Sequence, residues 1–161
     1  MPRRHFRVRF RLWSTGVTVL EFVIAMATVA VLATMAVPAW ESHRERARVF
    51  QAVSDIGAMG LAIRAFAEDN RAFPDTLEQV GLAGRVDPWG RAYRYNNLTD
   101  EKGRGGARKD GRLNPLNSDF DLYSVGKDGE TRLPLPPKVS HDDVVRARNG
   151  RFIGLAKDFD P

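Results

Sequence analysis

The chain has 161 residues, 25 Lys and Arg against 20 Asp and Glu, a formal charge of +5, and no cysteine. The lack of thiols excludes a disulfide framework and a thiolate metal site. The positive excess is confined to one place: Arg3, Arg4, Arg7, Arg9 and Arg11 lie in the first 16 residues with no acid among them. The remaining chain carries 20 charges of each sign, which excludes a nucleic-acid footprint.

Basic residues ahead of an apolar run are a topology signal, because positive flanks stay on the cytoplasmic side. The run that follows, residues 16–40, reads GVTVLEFVIAMATVAVLATMAVPAW. Residues 17–39 span about 34 Å as a helix, enough for a hydrocarbon core of about 30 Å. Ala25, Ala27, Ala30, Ala33 and Ala36 give it small-residue surfaces for close helix packing. Pro38 removes a backbone donor. It either loosens the helix around Thr34 or is a tolerated transmembrane proline.

One acid, Glu21, interrupts the run. A carboxylate in hydrocarbon costs roughly 2.5–3.5 kcal/mol even on forgiving insertion scales, and something must offset it. Cleavage after Gly16 would free the amine of Val17 about 6 Å along the axis from Glu21. A neighbouring copy shifted by a turn would bring its own ammonium to that carboxylate. An ordinary secretory signal is cut after its apolar core, which removes the core. A cut after Gly16 keeps it. An uncleaved single-pass anchor would leave Gly16 and Glu21 without a role.

From Glu41 the pattern becomes amphipathic. Val49, Val53, Ile56, Gly60, Ile63 and Ala67 recur at spacings of three and four, with Phe50 and Phe66 beside them. One helix is predicted from Val17 to Asp69, about 80 Å long. Beyond it the chain reads as a small mixed domain. A short helix is expected at 75–80, ended by Gly81 and Gly84, then a turn at Asp87-Pro88 and Gly90. Strands are expected at 91–95, with Tyr93 and Tyr95 on one face, and at 119–125, with Phe120 and Leu122 opposite Asp121 and Tyr123. Between them, residues 96–118 read as a long irregular loop. Lys127-Asp128-Gly129-Glu130 is a tight-turn signal. The tail suggests a helical turn at 142–148, an Asn149-Gly150 turn and an apolar piece at 152–156.

Side chains that could carry chemistry are few. Asp119, Asp121, Ser124, Asp128, Asp142 and Asp143 supply hard oxygens of the kind calcium takes, six to eight at a time. The same residues also suit a hairpin turn at Asp128-Gly129 and a helix cap at Asp142-Asp143. His5, His43 and His141 do not cluster. Ser140-His141-Asp142 are consecutive, whereas a catalytic triad converges from separate segments. Gly103-Arg104-Gly105-Gly106 lacks the preceding buried strand of a phosphate loop. Trp89 fits a core position better than a ligand platform.

The basic leader, Gly16, Val17, Glu21 and Pro38 together resemble the class III signal of type IV pilins and type II secretion pseudopilins. One departure is Val17, where the family usually has Phe. Three strings in the second half are similar to the major (G-type) pseudopilin: Phe73-Pro74 with Leu77; Asp87-Pro88-Trp89-Gly90 with Tyr93 and Tyr95; and Asp121 through Gly129. The resemblance covers most of residues 14–130. The polar insert at 98–117 and the proline-rich step and tail beyond Gly129 depart from it.

The resemblance implies an α+β pilin-like fold: a long N-terminal transmembrane-plus-amphipathic helix packed on a small antiparallel sheet head. The expected divisions are a cleaved leader (1–16), a transmembrane and assembly helix (17–40), its amphipathic half (41–69) and the head (70–161). It implies a structural subunit rather than an enzyme. A prepilin peptidase would cut after Gly16 and methylate Val17. Glu21 would register each incoming subunit, with Pro38 in the same helix. The partners implied are further copies in a helical filament, minor pseudopilins, the inner-membrane assembly platform and membrane lipid, with no nucleic acid. The precursor would be single-pass in the inner membrane with a periplasmic head, and the filament would drive protein export. The alternative is a type IV pilin of a surface fibre for adhesion, motility or DNA uptake. Finally, the resemblance implies calcium in the C-terminal loop, held by Asp121, Asp128 and the Leu122 carbonyl, with Asp142 or Asp143 completing it and Ser124 nearby.

Overall fold

The computed structural model describes residues 16–160. The expected leader, Gly16 apart, lies outside the described residues. Helix α1 runs Val19–Asn70 and holds its hydrogen-bonded assignment through Pro38. The chain divides into two compact units, up to Ser42 and from His43 onward. In the first unit the apolar side chains of α1 are all exposed, Val19, Leu20, Phe22, Val31, Leu32 and Trp40 among them. This stretch is long and apolar enough to cross a membrane.

In the second unit α1 turns one stripe inward. Ala52, Ile56, Met59, Gly60 and Ile63 are buried, with Val49 and Val53 half-buried at the margin. The predicted spacing therefore falls on the packed face, and Ala52 and Met59 widen it. Each large apolar side chain buried here contributes about 1.5–3 kcal/mol relative to exposure. α1 ends as Asn70 Nδ2 donates to the Phe66 carbonyl (2.8 Å), and Arg71 takes a positive φ of 55°.

A short 3-10 turn, Leu77–Val80, closes on Gly81. Then come strand β1 (Arg94–Asn97), helix α2 (Glu101–Gly105), and strands β2 (Phe120–Ser124), β3 (Val144–Ala147) and β4 (Phe152–Leu155). The four strands form one antiparallel sheet in the order β1-β2-β3-β4. Tyr95 faces Leu122, Tyr123 faces Val145, and Val145 faces Gly154. The first strand begins later than expected because Ala92 pairs locally with Val86 across the Asp87–Gly90 turn.

The helical turn expected at 142–148 is a correction: Val144–Ala147 is β3, buried at all four positions. Its β-branched valines fit a strand paired on both sides, and tertiary pairing overrides the local signal. The Asn149-Gly150 turn holds, with both residues at positive φ (57° and 89°), linking β3 to β4.

Alternation along the strands gives the sheet two packed faces. One carries Phe120, Leu122 and Val144 against Ile56, Met59 and Ile63 of α1. The other carries Val145 and Ala147, with Tyr123 beside them, against Leu116 and Leu135. The segment expected to be an irregular loop holds the end of β1 and helix α2, and its remainder, 106–118, is irregular but packs on this face through Leu113 and Leu116. Lys109 N–H donates to Leu133 O and Leu135 N–H to Lys109 O (3.1 and 2.9 Å), Leu116 N–H to Arg108 O (2.8 Å) and Arg148 N–H to Leu116 O (3.0 Å).

Candidate functional site

At the start of α1, Thr18 and Glu21 form a reciprocal cap. Glu21 N–H donates to Thr18 Oγ1 (3.2 Å), and Thr18 N–H donates back to Glu21 Oε2 (3.0 Å). This is the capping box of Thr-x-x-Glu, which satisfies two donors left open at a helix start. The Thr18 hydroxyl also donates to Oε2 (3.0 Å). Gly16 and Val17 precede the cap outside any regular element and are exposed. Thr18 is the residue that charge and spacing arguments about Glu21 miss, although Thr-Val-Leu-Glu ahead of an apolar run is itself a legible start signal.

In the head, the Asp87-Pro88-Trp89-Gly90 turn is the joint between helix and sheet. Asp87 is buried. Its Oδ1 accepts from the N–H groups of Trp89 (3.0 Å) and Arg91 (2.8 Å), and its Oδ2 from the hydroxyl of Ser124 on β2 (2.5 Å). Trp89 Nε1 donates to Glu45 Oε1 of α1 (3.0 Å). Tyr93 Oη donates to Asp55 Oδ2 (2.9 Å) and Tyr95 Oη to the Pro74 carbonyl (2.7 Å). Burial is the main reason both phenols are pushed well above their ordinary pKa. The Arg146 guanidinium lies over the Phe120 ring, 3.9 Å from its centroid. It grips both oxygens of Asp119 (2.8 and 2.6 Å).

The residues expected to hold calcium lie along β2, in the turn after it and just before β3, and several of their oxygens already accept protein donors, while Asp143 Oδ1 has no partner among the described residues. Asp121 Oδ2 accepts from the Arg108 backbone N–H (2.6 Å) and Oδ1 from Asn117 Nδ2 (2.9 Å). Leu122 pairs in the ladder opposite Tyr95. Ser124 serves Asp87. Asp128 Oδ1 accepts from Glu130 N–H (2.8 Å), and Asp142 Oδ2 from Asp128 N–H (2.9 Å). Asp143 Oδ2 accepts from Arg108 Nη2 (2.7 Å) and from the Thr131 hydroxyl (2.5 Å). Among the described residues, no three His, Asp or Glu side chains are grouped so as to hold a metal ion. With Asp121 taken by two protein donors and Asp143 Oδ2 by the Arg108 guanidinium, these side chains do not converge as placed on the six to eight oxygens that calcium takes.

Burial is the main cause that lifts the carboxyl pKa of Asp121 and Asp143. Their hydrogen bonds and the Arg108 charge pull the other way. Arg108 itself is missed by sequence reasoning, since an arginine in a polar, glycine-bearing stretch gives no sign that it will be buried.

A long apolar N-terminal helix and a small four-stranded antiparallel sheet define the pilin-like class. The chain is similar to the type II secretion system core protein G of Escherichia coli K12, at 31% identity over 136 residues, 71% of this chain and 83% of that protein. It is similar to the protein of the same name from Pseudomonas aeruginosa, at 29% identity, covering 72% of this chain and 85% of that protein. The same holds for the Klebsiella pneumoniae protein, at 28% identity, covering 80% and 91% respectively. No family model and no solved structure matches. The chain belongs to the family of type II secretion system core protein G, the G-type pseudopilins. It is a structural pseudopilin of the secretion system and not an enzyme.

Proposed function

We propose that the protein polymerises through its N-terminal helix into a periplasmic pseudopilus that drives protein export. The observation that carries this reading is a helix stretch of transmembrane length with all its apolar side chains exposed and a single acid at its start. Such a surface has two suitable environments, lipid before assembly and the small-residue faces of neighbouring copies after it. A prepilin peptidase cuts after Gly16 and methylates Val17. The freed ammonium of one subunit then pairs with Glu21 of another. Both Thr18 donors meet Oε2, so Oε1 is the oxygen offered to that ammonium. Pro38 gives the helix a point of adjustment as it leaves the inner membrane, where the assembly platform and minor pseudopilins receive it. The family's role in secretion supports the reading over a surface fibre.

The test is Glu21→Ala in a strain with the secretion genes, with membrane fractionation, filament imaging and mass spectrometry of the mature N-terminus. The expected result is a variant that inserts in the membrane and fails to assemble. A variant that polymerises normally would sink the ion-pair model, and a purified wild-type subunit beginning at Met1 would sink the processing step.

A further inference from the structure

We infer that the guanidinium of Arg108 is a built-in cation that closes the C-terminal half of this head, so that the head folds without calcium. Four observations carry this. Arg108 is buried, 2% exposed, although it comes from the polar, glycine-bearing stretch at 98–117. Its charge bridges two separate segments: Nη2 meets Asp143 Oδ2 at 2.7 Å and Nη1 meets Thr131 Oγ1 at 2.5 Å. Its ring-stacking contact, 4.4 Å from the Tyr123 centroid, fixes it over β2. Its backbone N–H occupies Asp121 Oδ2 at 2.6 Å.

One residue thus reaches β2, the segment after the Asp128-Gly129 turn, and Asp143, which immediately precedes β3. Those are the strands and the loop that an ion would have to join. A divalent ion brought to Asp143 would meet a like charge already in place. The two buried polar atoms without a partner among the described residues, Arg108 Nε and Asp143 Oδ1, belong to this same pair. The guanidinium therefore meets Asp143 through the single Nη2–Oδ2 bond, and its second arm goes to Thr131 rather than to the other carboxylate oxygen. A guanidinium stays charged at any physiological pH and is always at full local concentration, being tethered to the chain.

The experiment uses the full chain in detergent micelles, stripped with EDTA and then titrated with calcium chloride. Thermal unfolding and titration calorimetry are the readouts. The expected result is an unchanged melting temperature and no saturable heat. A rise of about 4 °C or more at saturating calcium, with a saturable heat, overturns the inference. Arg108→Met should lower the melting temperature by about 10 °C or more, because it strands a buried carboxylate. Arg108→Lys keeps the charge and loses the fork, and should fall between Met and wild type. If both variants melt with the wild type, the guanidinium does not close the head and the inference fails.

Discussion

The indole N–H of Trp89 donates to Glu45 Oε1 at 3.0 Å, joining a sheet-side turn to α1 across 44 positions of sequence. One such bond, partly exposed, is worth about 0.5–1.5 kcal/mol, with the packing of the ring in addition. Trp89→Phe keeps most of the ring and loses the donor. It should lower stability by about 1 kcal/mol, read as a smaller urea midpoint at unchanged slope.

Asp87 is the more sensitive member of that turn. It is buried and satisfies two backbone donors and the Ser124 hydroxyl. Asp87→Ala leaves all three without their acceptor and should cost about 3 kcal/mol, whereas Ser124→Ala removes one donor to Asp87 and the acceptor of the Gly126 N–H and should cost about 2 kcal/mol. Chemical denaturation of the three proteins side by side checks the order. Equal costs would show that Asp87 acts only through Ser124.

Acidity should act on the head through Asp121 and Asp143. Burial holds both native carboxyl pKa values above the ordinary range. Between an unfolded value of about 3.9 and the raised native values, the folded protein keeps protons that the unfolded chain has lost. Stability from these two groups is therefore present on the acid side of the window and declines as pH rises through the native pKa values. Unfolding near pH 5, about one unit above the unfolded value, should release protons, and Asp121→Asn should release fewer. Calorimetry in buffers of different ionisation enthalpy measures the release directly.

Gly126 sits at a φ of +65°, and a Cβ there would run into the Asp142 carbonyl. Its N–H donates to Ser124 Oγ (3.1 Å) and its carbonyl accepts from Arg91 (2.8 Å). Gly126→Ala meets both a backbone conformation disfavoured for L residues and a backbone clash. It should cost about 2–4 kcal/mol, seen as a loss of soluble, protease-resistant head.

Much of this was legible in the chain because it repeats or alternates. The stripe from Val49 to Ile63 announces a helix face, and Phe120 and Leu122 against Asp121 and Tyr123 announce a strand with two sides. Gly16, Val17 and Glu21 are proposed as a set from charge, length and spacing together, and the Glu21→Ala experiment tests that set. Val144–Ala147 was not legible, because a four-residue strand buried on both faces carries no alternation, and the acids before it mimic a helix cap. Arg108 was not, because its place depends on partners 13, 23 and 35 positions away. No local pattern encodes a pairing made across two loops.

The order of the sheet has a consequence for shortened chains. β3 pairs with β2 on one side and β4 on the other. A polypeptide stopped before Val144 would strip β2 of a neighbour and leave a row of open N–H and C=O groups beside apolar residues. Such an edge is a template for the β2 of another truncated molecule. The tail beyond the Asp-Gly turn therefore guards the head against sticking to its own kind through the wrong surface.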